Sequence, residues 1–352
     1  IFSYFCPNYF NMSSYINREV AMSFESIVSK STNIVIISHT NPDGDAVGST
    51  TAMFNYLKNR GVNVKIILPD KYPDYLSFLD KDGSVLFFSR DQGISLELID
   101  KADLIIALDF NQLKRVSEME CHILDSSARK IMVDHHPLPD NDSFDLVISR
   151  TEVSSTCELL YWLFLGMSTE IPLDVAQSLY VGIMTDTNNF SNSVSWQTFH
   201  VASHLLKIGV DKEMLQHSVF GGFSEGRMRL MGHLLLNKMV VVEQYGAAYI
   251  ALSREEQEMF DFSEGDSEGF VNLPLNIKGV FVSALFTQKK DGNIRVSLRS
   301  VNDFSVNKLS RLHFNGGGHE RAAGGRLEIP FESVGSYFRQ ALEKSYDQCN
   351  GI

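Results

Sequence analysis

The chain has 352 residues, 44% hydrophobic and 21% charged, a globular mix too long for one comfortable core, so two domains are expected. Its net charge of −12 speaks against a broad basic face for long duplex DNA, and no apolar run approaches a membrane span. Four scattered cysteines, Cys6, Cys121, Cys157 and Cys349, form no C-x-x-C pair, which argues against a thiolate metal site and fits a reducing cytoplasm.

The opening stretch, IFSYFCPNYFNMSSY, is apolar and aromatic, with no basic residue before Arg18. A signal peptide needs a basic start and a small-residue cleavage site. Residues 1–22 are therefore read as an upstream extension, with Met12 or Met22 as the start, or else as a short docking arm. Asn33–Ser38 is a β-branched run that predicts a strand buried on both faces. After a polar turn, helical periodicity covers Ala46–Arg60 and stops at Gly61. Val62–Leu68, Leu104–Leu108 and Lys130–Val133 read as further strands, and Glu158–Leu165 and Asp174–Met184 as helices. This alternation predicts an α/β fold whose first half is a doubly wound, mostly parallel sheet.

The pattern changes near residue 220, where FGGFSEGRMRLMGHLL reads as a glycine-punctuated connection into a helix. Met239–Leu252, Gly279–Thr287 and Ile294–Arg299 then read as strands, and Val306–Leu312 and Phe331–Tyr346 as helices. The expected organisation is a first domain over 23–215, a linker over 216–237 and a smaller α/β domain over 238–348. Charge is uneven along it: Lys278 to Arg326 holds nine basic residues against Asp291, Asp303 and Glu320. That stretch is either a solvated face or a local phosphate-binding surface in an acidic protein.

Asp and His residues fall where strands and helices end. His39, Asp43 and Asp45 follow the first strand, Asp109 the third, and Asp134-His135-His136 the fourth. Thr185-Asp186-Thr187 follows the Asp174–Met184 helix. In open α/β sheets, ligands bind beyond the carboxyl ends of the strands, so these groups are expected to converge. Each has a bland reading alone: a capped turn at Asp43-Gly44-Asp45, a loop aspartate at 109, one core and one surface histidine, a helix cap at 186. Together they suit a pair of divalent cations, because packed carboxylates repel unless neutralised. His and carboxylate donors fit Mn²⁺ first, with Mg²⁺ or Co²⁺ as alternatives. Such an ion pair is a known means of phosphoester hydrolysis.

On these residues the chain resembles the DHH phosphoesterase superfamily. His39-Thr40-Asn41-Pro42-Asp43-Gly44-Asp45 is similar to the family's first motif, Asp109 to the second, Asp134-His135-His136 to the third and Gly182-Ile183-Met184-Thr185-Asp186-Thr187 to the fourth. Gly316-Gly317-Gly318-His319-Glu320-Arg321-Ala322-Ala323-Gly324-Gly325 is similar to the signature of the DHH-associated domain. The layout resembles the bifunctional oligoribonuclease and 3′-phosphoadenosine-5′-phosphate (pAp) phosphatase group, the nanoRNases.

The resemblance implies that His39, Asp43 and Asp109 hold one ion, and that Asp45, Asp109, His135 and Asp186 hold the other. It implies that Asp134 orients its neighbours and His136 faces the scissile phosphate. It places substrate recognition on Arg299, Gly316, Gly317, Gly318 and His319, with the active site between the domains. The implied substrates are pAp and short RNA of about two to five nucleotides, handled by a monomer or homodimer without a membrane or long duplex DNA as partner.

Two positions depart from the family. Asn188-Asn189 replace a Gly and a basic residue after Thr-Asp-Thr, and Cys157 stands where Ser is common, read as a packed small residue. Rival readings are a phosphodiesterase for cyclic di-adenylate or its linear dinucleotide, and a non-catalytic nucleotide binder. RecJ-type exonuclease, family-II pyrophosphatase and exopolyphosphatase fit less well.

Overall fold

A computed structural model describes residues 15–350 apart from Gly222, Glu264 and Asn302, with the side chains of residues 347–350 also left aside. The chain divides into two compact units, Ile1–Gly222 and Phe223–Ile352. Among the described residues no helix is long and apolar enough to cross a membrane.

The first unit holds strands β1 (Asn33–Ile37), β2 (Asn63–Leu68), β3 (Val85–Phe87), β4 (Leu104–Leu108), β5 (Arg129–Asp134) and β6 (Leu146–Ser149). Its helices are α1 (Arg18–Val28), α2 (Gly44–Asn59), α3 (Gln92–Lys101), α4 (Glu120–Asp125), α5 (Thr156–Gly166), α6 (Leu173–Asp186), α7 (Trp196–Ile208) and α8 (Lys212–Phe220). All strand pairs are parallel, in the order β3-β2-β1-β4-β5-β6. The expected mostly parallel sheet is therefore wholly parallel. Strand period sorts residues onto two cores: Ile34 and Ile36 of β1 join one apolar cluster, Val35 and Ile37 the other. Burial on both faces explains the continuous apolar runs in the sequence. The chain order reverses direction between β1 and β4, the switch point where such sheets bind ligands.

The short edge strands β3 and β6 were not anticipated. At three and four residues they are too brief for a period to register. The helix expected over Asp174–Met184 runs two residues further, so Asp186 is its last residue and not part of a following turn. Residues 1–14, Met12 included, lie outside the described residues. The remainder of the expected extension is built into the unit. Asn17 caps α1 by accepting from Val20 N–H at 2.8 Å, and Ile16, Ala21, Phe24 and Val28 are buried.

The second unit holds α9 (Glu225–His233), β7 (Met239–Val242), β8 (Ala247–Leu252), α10 (Arg254–Met259), β9 (Val282–Gln288), β10 (Ile294–Ser300), α11 (Val306–His313), β11 (Gly317–Gly318), β12 (Ala322–Leu327) and α12 (Val334–Asn350). Its sheet runs β11-β12-β10-β9-β8-β7 and is antiparallel except for β8 beside β9. The apolar run Met239–Leu252 is a hairpin, broken where Gly246 takes a left-handed φ of 52°. The segment read as a linker is largely helical, in α8 and α9.

Helices α2, α5 and α6 meet at unusually close quarters. A Cβ on Gly182 would lie 2.2 Å from Cys157 Sγ and 2.7 Å from Asp45 Oδ1, and one on Gly48 would lie 2.8 Å from the Ser178 carbonyl. Only glycine lets these backbones approach. Gly182→Ala is expected to lower stability by about 1–3 kcal/mol, read as a reduced urea midpoint at unchanged m-value.

Candidate metal centre

The loop after β1 delivers His39 and then Asp43, whose Oδ1 accepts from the N–H groups of Asp45 and Ala46 and so starts α2. That cap turns the first helical residue pair inward and buries Asp45. Asp109 follows β4 with a left-handed φ of 66°, rare for a residue with a side chain and common where function holds strain. Asp134 ends β5, His135 and His136 follow it, and Asp186 ends α6, open to solvent.

These side chains converge within the first unit. His39 Nε2 lies 3.5 Å from Asp109 Oδ2. His135 Nε2 lies 3.6 Å from Asp109 Oδ1, 3.4 Å from Asp186 Oδ2 and 4.0 Å from Asp45 Oδ2. His39, Asp43 and Asp109 form one group whose donor atoms all lie within 4.8 Å; Asp45, Asp109 and His135 form a second. Asp109 belongs to both, the placement a carboxylate shared between two ions requires.

The donor chemistry fits cations. Burial, then the nearby charges of Asp109 and Asp43, push Asp45 well above the ordinary carboxylate range. Burial, then Asp43, Asp186 and Asp134, do the same to Asp109. Burial holds His39 below the usual histidine value, which favours its neutral form. Its Nδ1 lies 2.8 Å from the Thr40 carbonyl, which only accepts, so Nδ1 carries the proton and the Nε2 lone pair faces Asp109.

Two supporting groups were missed by the sequence reading. The N-terminus of α5 donates to Asp45: Thr156 N–H to Oδ2 at 2.7 Å and Cys157 N–H to Oδ1 at 3.0 Å. Thr156 Oγ1 also donates to Asp109 Oδ1 at 3.0 Å. The cue was the Ser155 cap ahead of an apolar run, but no pattern tells where a helix start points. Arg115, in the turn after β4, places Nη1 3.3 Å from His136 Nε2. No periodicity marks it. Cys157 is fully buried and burial, then Asp45, push its thiol well up, consistent with a packed, unreactive residue.

Asp134 is fully buried and clamps His136: Oδ1 accepts from Nδ1 at 2.7 Å and Oδ2 from the His136 N–H at 3.0 Å. In the second unit, Gly317 and Gly318 form β11 against Gly324 and Ala323. A Cβ on Gly316 would lie 1.9 Å from the Gly324 carbonyl, and Gly318 N–H donates to Asn307 Oδ1. Gly316 and Gly318 are thus required first for strand approach, whereas Gly317 has room for a Cβ. Register places Arg299 opposite Ala322, one turn from His319.

Two outcomes follow. Asp45 and Asp109 have raised pKa values when metal-free, so the folded form holds protons that the unfolded form has lost. Their contribution therefore falls as pH rises above the unfolded carboxylate value. The gain in Tm on adding Mn²⁺ is expected to grow from about pH 5 to about pH 8, measured by scanning fluorimetry against chelator. Thr156→Val is expected to weaken Mn²⁺ binding about 10–100-fold in calorimetry, with Thr156→Ser close to wild type.

Comparison with known proteins identifies the family of both units. Residues 33–183 match the family model described as DHH family, N-terminal domain, and residues 244–344 match the DHHA1 domain. A probable bifunctional oligoribonuclease and PAP phosphatase NrnA from Streptococcus mutans is 28% identical, over 83% of this chain and 88% of its own. The cyclic-di-AMP phosphodiesterase PdeA of Listeria monocytogenes is 25% identical over 88% of this chain but only 47% of its own length. A crystal structure of an exopolyphosphatase-related protein from Bacteroides fragilis is 40% identical with a TM-score of 0.90, covering 94% of this chain and 97% of its own. The chain is therefore an enzyme of the DHH phosphoesterase superfamily, with a DHH domain followed by a DHHA1 domain.

Proposed function

We propose that this protein is a two-metal phosphoesterase that cuts short oligoribonucleotides to mononucleotides and dephosphorylates pAp to AMP. The observation carrying the proposal is Asp109, shared between a His39/Asp43 group and an Asp45/His135 group at the sheet's switch point. His39, Asp43 and Asp109 would hold one divalent ion, and Asp45, Asp109, His135 and Asp186 the other, with Mn²⁺ the first candidate. When bound, the ions supply an acidified water and polarise the phosphoryl oxygens. The chain's own residues do the rest. Thr156 and the α5 N-terminus fix Asp45 and Asp109, and Asp134 fixes the His136 ring at the reacting centre.

Nucleotide recognition falls to the second unit in this reading, where Arg299, Gly316, Gly317, Gly318 and His319 share one end of the sheet. The substrate names borne by the relatives support short RNA and pAp. A second reading, hydrolysis of cyclic di-adenylate, draws on the similarity to the Listeria enzyme over most of this chain.

A Mn²⁺ panel of pAp, di- to pentanucleotides, a long oligonucleotide, cyclic di-adenylate, pyrophosphate and polyphosphate decides between them. Fastest turnover of pAp and dinucleotides is expected; preference for cyclic di-adenylate or polyphosphate would overturn the proposal. Asp109→Ala is expected to remove activity and bound metal together. Arg299→Ala is expected to raise KM about tenfold or more with metal content intact.

A further inference from the structure

We propose that Arg115 is the residue that grips the phosphoryl group undergoing cleavage, through its guanidinium fork. This rests on the phosphoesterase reading above and adds a cationic residue of the first unit to it.

Arg115 is placed firmly. Its carbonyl accepts from Thr40 N–H at 2.9 Å, tying it to the loop that carries His39, and its own N–H donates to the Gln112 carbonyl at 3.0 Å. Leu113 and Val116 on either side are buried in the core. Ser117, two residues on, has a φ of 52° and ψ of −126°, a strained conformation that breaks the 3₁₀ turn. The segment is thus fixed at both ends around a half-buried arginine.

Its charge is not consumed by the protein. Among the described residues no carboxylate lies within ion-pair distance of the guanidinium, although Asp43, Asp109 and Asp134 all feel its field. Its hydrogen-bond partner is the His136 ring, a neutral acceptor. Asp134 Oδ1 takes the Nδ1 proton of His136, which leaves His136 Nε2 to accept from Arg115 Nη1 at 3.3 Å. The Asp134–His136–Arg115 chain therefore orients the fork without neutralising it. The other N–H donors of the fork have no acceptor among the described residues.

A planar, charged and oriented fork matches two oxygens of a phosphoryl group. A structural counter-ion would sit on a carboxylate, and Asp43, Asp109 and Asp134 lie close enough to feel its charge without being paired to it.

The test uses the full Mn²⁺-loaded chain and inorganic phosphate as the probe. Wild type, Arg115→Ala and Arg115→Lys are compared by calorimetry, by metal content and by kcat and KM on the best ester of the panel. The expected result is phosphate binding weakened about tenfold or more and kcat lowered about 100-fold in Arg115→Ala, with metal content and Tm unchanged. Arg115→Lys should recover part of the binding, because it keeps the charge and loses the fork. The proposal is overturned if Arg115→Ala binds phosphate like wild type, if it loses the metal, or if wild type binds no phosphate. Wild type that binds phosphate yet cleaves no ester would sink the phosphoesterase reading alone, the titration still deciding on Arg115.

Discussion

Asp45 and Asp109 are carboxylates almost wholly withdrawn from water and within reach of one another's charge. Two such groups repel, and the interior around them screens little. The surrounding architecture is arranged to hold them together regardless. The first N–H groups of α5 point at Asp45, the Thr156 hydroxyl braces Asp109, and Asp43 spends one oxygen starting α2. Glycines at 48 and 182 bring three helices close enough for these contacts to be made. The cluster is a stored electrostatic demand that divalent cations would meet in the two-metal reading, which would tie metal binding to folding in this domain.

The parallel sheet explains why the donors come from such distant stretches. Each strand of the reversal point ends at the same edge, so the loop after β1, the residue after β4 and the residues after β5 share one rim. The α6 terminus then closes the ring with Asp186. One fold principle, ligand binding at the strand-order reversal, thus accounts for the location without reference to any family.

Much of this was legible in the sequence because it rests on short-range signals. Continuous β-branched runs marked β1, β2, β4 and β5, and the acidic and histidine residues immediately beyond them marked the candidate site. What escaped was geometry without a periodic trace. The edge strands β3 and β6 are too short to show alternation. Nothing announces that Asp109 adopts a left-handed φ, or that α5 starts against Asp45. Arg115 lies in a broken 3₁₀ turn with no pattern. The resemblance placed substrate recognition on the glycine run; the packing need at Gly316, set by contact with the Gly324 carbonyl, has no trace in the sequence. Residues 15–22, set aside as an appendage, pack into the first core.

The placement of Asp186 at the far end of α6 has a consequence for biosynthesis. No stretch of chain ending before that residue carries the whole donor set, since the others lie between His39 and His135. A partly synthesised polypeptide lacking α6 would therefore be unable to assemble the complete proposed centre. With the proposed ligand set, the metal cage would close only once α6 has been made, and hydrolysis would stay silent until then.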